Sequence, residues 1–275
     1  MPELALPAGD VRRSADRART RTDWLDSRHS FSYGPHYDPG NTSYGLLLAH
    51  NEDLLRPGGG FDPHRHVDVE VVTWVLRGSL AHQDSTGHRG VVRAGQVQRL
   101  SAGSGVVHSE HHVATGPERA GDPRVGPSEP DDACGPSEPD DACGPGSPGD
   151  AHYVQVWVAS DGASRVPGYE LGEVDGLDIG VGLVPVAAGR GHDAAVRIGQ
   201  RDAVLHVARL APGGSVNLPD APFVHLFVAL GDVALVGAGT LGPGDAVRLT
   251  GAGGPTVTAA SAAELLVWEM HAALR

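Results

Sequence analysis

The chain has 275 residues, 40% of them hydrophobic, with 39 glycines, 21 prolines and a formal net charge of −13. That length builds one large domain or two ordinary ones, and the glycine and proline content favours turns over long helices. The acidic balance argues against nucleic acid as a direct partner, because phosphate binding needs a basic surface, and no apolar run has membrane-spanning length.

Residues 1–22 hold Arg12, Arg13, Arg17, Arg19 and Arg21 with no apolar stretch behind them. They read as a flexible, solvated tail rather than a signal peptide, so a soluble cytoplasmic protein is expected. Valine is abundant and few segments keep a helical period, which predicts an all-β architecture. A first strand is expected at 44–49, followed by a glycine-rich turn at 56–60. From 64 to 76 the even positions His64, His66, Asp68, Glu70, Val72, Trp74 and Leu76 should share one face, because side chains in a strand repeat every two residues. The odd positions Val67, Val69, Val71 and Val75 are apolar too, so this strand should be covered on both sides. Asp84-Ser85-Thr86-Gly87 reads as a hairpin turn, and 101–105 as a bend that sends 106–110 back into the same barrel.

Two segments carry the chemistry: His64-Arg65-His66 and His108-Ser109-Glu110. Each is written ligand-x-ligand, so both members of a pair point to one face of a strand. Two such strands crossing one barrel would aim His64, His66, His108 and Glu110 at a common point. Three neutral nitrogens and one carboxylate oxygen suit a divalent transition metal. The plain alternative is a buried polar cluster without an ion, which would leave expensive unpaired groups. His82 reads as a hydrogen-bonded hairpin histidine, with an approach to the pocket as the alternative, and His111 and His112 as solvent-facing.

Residues 116–150 interrupt the pattern. The nine residues 126–134 are repeated at once as 135–143, and residues 117–150 carry a net charge of −7. A tandem copy rich in Pro, Asp and Gly cannot bury apolar surface, so an acidic, disordered insert is expected, a duplication in a tolerant loop rather than a metal site. Both cysteines, Cys134 and Cys143, lie in it, so neither can staple a core, which fits a reducing compartment. A strand and connection at 151–160 should complete the pair of barrels. Residues 161–275 hold a second set of strands, at 204–210, 224–230, 233–236, 246–249 and 265–270, without ligand pairs. Isolated His206 and His225 read there as satisfied structural histidines.

Residues 61–78, with Phe61-Asp62-Pro63-His64-Arg65-His66 at their start, resemble the first metal-binding strand of the pirin family of two-barrel cupins. Leu80-Ala81-His82-Gln83-Asp84-Ser85 resembles the stretch that follows it. Gly95-Gln96-Val97-Gln98 and Ser101-Ala102-Gly103-Ser104-Gly105-Val106-Val107-His108-Ser109-Glu110 are similar to the second metal-binding segment. The likeness is dense over 24–112, strongest to bacterial, quercetin dioxygenase-like members, thin beyond, and absent in the insert. It implies two packed cupin barrels, each a double-stranded β-helix: a metal-binding one at 23–115 and a degenerate one at 161–275 without ligands. It places the four ligands on His64, His66, His108 and Glu110, with iron(II) as the expected metal and zinc, manganese, nickel, cobalt or copper as alternatives; no other cofactor-binding residue is implied. Pro63 and Arg65 depart from the usual neighbours of the ligands, and the insert enters just after the second pair. Glu70, four residues after His66, is a ligand in some cupins; here Glu110 supplies the carboxylate, so Glu70 is expected to orient an imidazole N–H, and Asp68 similarly.

The resemblance implies a dioxygenase that opens the central ring of flavonols such as quercetin with dioxygen and releases carbon monoxide. Glu110 would accept the proton of the substrate's 3-hydroxyl, a catalytic role beside its place as a ligand. Two other classes stay open: a redox-sensitive module whose metal tunes a protein partner, and a cupin isomerase acting on a small polar metabolite.

Overall fold

The computed structural model describes residues 9–113, 149–174, 176–189 and 191–274. Among them are two barrels, each a seven-stranded sheet facing a four-stranded one. In the first, Val69–Arg77 and Ala151–Ala159 run antiparallel at the centre of the large sheet, flanked by Gln96–Ser101 and Leu47–Leu55. The small sheet orders Gly60–His66, Val106–His112, Ser79–Asp84 and Arg89–Arg93. In the second barrel Ala203–Leu210, Ala263–Met270, Phe223–Leu230 and Ala246–Thr250 form the middle of the large sheet. The predicted all-β bicupin is therefore what the chain builds. No helix among the described residues is long and apolar enough to cross a membrane.

The barrels exchange strands. Asp10–Arg12 pairs with Ala246–Thr250 of the second barrel, whereas Gly168–Glu173 pairs with Gln96–Ser101 of the first. This corrects the expectation of a flexible tail through residue 22. Two of the arginines that looked solvated have fixed acceptors: Arg17 is buried against Glu52 at 2.7 Å and the Gly244 carbonyl at 3.2 Å, and Arg13 reaches Asp245 at 2.7 Å. Ala18–Arg21 then pairs with Leu25–His29, with Arg19 bound to Asp26. The repeat and both cysteines lie outside the described residues. At the insert's end Asp150 is already buried, its carbonyl accepting from Arg77 Nε at 3.3 Å.

The single strand expected from 64 to 76 is two strands. Asp68 adopts φ 50, a left-handed conformation that Asp tolerates better than most residues. Gly60–His66 therefore belongs to the small sheet and Val69–Arg77 to the large one. The break reverses the parity. Val69, Val71 and Val75 pack inside the first barrel, whereas Val72 and Trp74 pack between the barrels with Leu205, Phe227 and Trp268. Trp74 Nε1 donates across that seam to Glu264 at 2.7 Å. The predicted bend at 101–105 forms with Gly103 at φ 47, where a Cβ would lie 2.1 Å from the Arg165 carbonyl oxygen, so glycine is required.

Candidate metal centre

The small sheet brings the two ligand pairs together. In the antiparallel register His108 sits opposite His64 and Val106 opposite His66. Side chains alternate along Val106–His112: His108 and Glu110 are each 1% exposed, while Val107 and His111 face out. The donor atoms of His64, His66 and His108 lie within 4.8 Å of one another. A bulge between His108 and Glu110 shifts the register against Gly60–His66, putting Glu110 opposite Phe61; on its other side, in an unbroken register, Glu110 sits opposite His82. Glu110, His108 and His82 form a second group with donors within 4.8 Å. His108 thus joins both groups, and His82 takes the pocket position that sequence reasoning ranked below the hairpin one. The register of Ser79–Asp84, set by its hairpin, was the signal that could have found it.

The donor chemistry fits a cation. His64 Nδ1 lies 2.8 Å from the Asp62 carbonyl, which only accepts, so Nδ1 carries the proton and Nε2 keeps its lone pair. His66 Nε2 and both ring nitrogens of His108 are buried without a hydrogen-bond partner among the described residues. Burial, reinforced by the neighbouring imidazoles, holds His66 down at about 4 and His108 at about 3. Both rings are therefore neutral near pH 7, the state a metal requires. Buried nitrogens left unpaired are costly, and an ion would satisfy them.

The large sheet supports these donors. Gln98 donates to Glu110 Oε1, and Gln155 Nε2 donates to Oε2 at 2.7 Å. Both amides also reach the Thr73 hydroxyl, at 3.3 and 3.2 Å. Trp157 stands edge-on to His66 with centroids 4.8 Å apart, and Tyr169 stacks on His82 at 4.3 Å. His82 makes the expected hairpin contact, Nε2 to Asp84 Oδ2 at 3.3 Å.

Other expectations are corrected. Glu70 accepts from the Ser101 hydroxyl at 2.6 Å and Asp68 from the Ser164 N–H at 2.6 Å, both outside the histidine cluster because of the break at Asp68. His111 is exposed, but His112 turns to the Gly149 carbonyl at 2.9 Å. His206 is only half satisfied, its Nε2 meeting Glu269 at 2.9 Å and its Nδ1 buried without a partner, and neither nitrogen of fully buried His225 finds one among the described residues.

Beside the histidines lies a cavity of about 170 Å³ lined by His64, Glu110, Gln155, Asp53, Phe61 and Tyr33, among others. A dry cavity of roughly 150 Å³ accommodates benzene, so this one takes a single aromatic ring. Burial lifts Asp53 to about 7, with Glu110 adding to the rise and the Ser27 and Tyr153 hydroxyls opposing it.

The Pirin family profile matches residues 11–121, and that of the quercetinase C-terminal cupin domain matches 185–270. A Mycobacterium tuberculosis protein, provisionally named a quercetin 2,3-dioxygenase, is 47% identical over 266 residues, 96% of each chain. The chain belongs to the pirin family. An Escherichia coli pirin relative named quercetin 2,3-dioxygenase is 40% identical over 105 residues, 38% of this chain and 46% of its own. The crystal structure of YhhW from Escherichia coli superposes with a TM-score of 0.77 at 24% identity, over 97% of this pirin and 99% of that chain. YhhW has also been solved in complex with nickel(II), with a TM-score of 0.76 at 24% identity, over 96% of this pirin and 99% of that chain. At that identity the likeness establishes the fold.

Proposed function

We propose that this pirin is a metal-dependent dioxygenase acting on a flavonol-type substrate, its ion held by His64, His66, His108 and Glu110. The observation that carries the reading is the set of three convergent imidazoles, two of them with buried, unpartnered nitrogens. The names of its relatives and the nickel complex of YhhW support it. Iron(II) is the metal this reading names, and the cytoplasm its location.

When bound, the ion would supply open coordination positions where a flavonol oxygen and dioxygen are brought together. The protein's own groups do the rest. Glu110, steadied by Gln98 and Gln155, would accept the proton of the substrate's 3-hydroxyl. Leu25 and Phe61 give the cavity apolar walls against the aromatic ring, and Trp157 covers the far side of His66. Exposed Gly34 and Pro35 lie at the rim, past which the rest of a multi-ring substrate would extend. These walls would limit water at the bound ring during turnover.

The test is quercetin absorbance under oxygen with iron-loaded protein. Bleaching that stops under nitrogen and in the Glu110→Gln variant supports the reading. Unchanged absorbance across the metals that bind contradicts it.

A further inference from the structure

The cavity wall made by Leu25–His29 and Leu47–Leu55 carries a carboxylate that the proposed centre does not use. Asp53 is 3% exposed and lines the same cavity as His64 and Glu110. Its Oδ1 is the one carboxylate oxygen, among the described residues, that is buried with no hydrogen-bond partner. His29 is engaged elsewhere, its Nδ1 with Asn51 Oδ1 at 2.9 Å and its Nε2 with the Thr20 hydroxyl at 2.9 Å, while the Ser27 and Tyr153 hydroxyls lie near the Asp53 carboxyl without making a hydrogen bond to Oδ1. A buried acceptor left unsatisfied is a standing cost that a ligand donor would remove. Glu110, by contrast, is occupied by two amides and stands at the histidine end of the cavity.

We propose that Asp53 orients the substrate, its Oδ1 accepting a hydrogen bond from a hydroxyl on the ring edge turned away from the metal donors. The site then selects phenolics with hydroxyls on two edges over those with one. This rests on the cavity being the phenolic site, and it adds a specificity residue on the strand opposite the ligands.

The test is equilibrium binding under nitrogen, where no turnover occurs, to the protein as isolated. Quenching of tryptophan fluorescence would report Kd for quercetin, which has five hydroxyls, and for 3-hydroxyflavone, which has one. Asp53→Ala should weaken quercetin binding roughly 3- to 100-fold, the span from one hydrogen bond to a neutral acceptor to one to a charged acceptor, and leave 3-hydroxyflavone within about twofold. Asp53→Asn, equal in volume and still an acceptor, should fall between wild type and Asp53→Ala. Near-UV circular dichroism establishes that each variant is folded. Equal weakening for both ligands, no weakening, or no quercetin binding by wild type would overturn the proposal. If the binding pattern holds while iron-loaded wild type leaves both compounds intact under oxygen, the dioxygenase reading fails and the role of Asp53 stands.

Discussion

Gln155 Nε2 donates to Glu110 Oε2 at 2.7 Å, tying the central strand of the large sheet to the ligand-bearing strand of the small one. The bond runs across the barrel interior, so the position of the carboxylate is set by a residue more than forty positions away in sequence. Gln98 holds the other oxygen from a third strand.

Removing that support should loosen the centre without unfolding the barrel. Gln155→Ala is expected to lower metal affinity about 10- to 100-fold, as losses of groups that orient a ligand typically do. Competition with a chromophoric chelator measures it, and Gln98→Ala should act in the same direction.

Glu70 makes the opposite case. Its carboxylate accepts from Ser101 and lies outside the imidazole cluster, so Glu70→Gln should leave metal content unchanged. Elemental analysis of the purified variant against wild type checks this.

These two carboxylates show what the sequence made legible. The period of two correctly set His108 and Glu110 on one face, since Val106–His112 is unbroken apart from one bulge. It failed past His66, because a single left-handed residue, Asp68, moves the chain into another sheet and inverts the facing of Glu70. Local pattern carries no information about such a sheet change. The supporting amides Gln98 and Gln155 were illegible for a related reason: they meet Glu110 only through tertiary register. The same holds for Asp10–Arg12, whose partner strand lies more than 230 residues away.

The seam between the barrels should be sensitive to acid. His50 and His225 are fully buried there with ring centroids 4.8 Å apart, facing Arg17, Arg248 and Ser30. Burial foremost, then the neighbouring cations, holds His225 down at about 3 and His50 well below its ordinary value. The unfolded chain takes up protons on both below pH ~6.5, while the folded chain does not until far lower. Their contribution to stability is therefore intact above pH ~6.5 and falls toward pH 3, by at most ~1.4 kcal/mol per unit for each histidine. Denaturant melts at pH 7 and pH 5 should show a smaller loss for His225→Leu than for wild type.

Trp74 and Glu264 join the barrels by one buried hydrogen bond. Trp74→Phe keeps most of the apolar contact and removes the donor, so it should cost about 1–2 kcal/mol. Glu264 keeps Arg209 at 2.7 Å, which limits the loss. The midpoint of urea unfolding reads it directly.

The central claim is that His64, His66, His108 and Glu110 share one ion. Anomalous diffraction at the absorption edge of the bound metal, from crystals of metal-loaded protein, tests it most directly. One strong peak within coordination distance of all four side chains is predicted. A peak elsewhere, or none near these residues in protein that elemental analysis shows to be loaded, would contradict it.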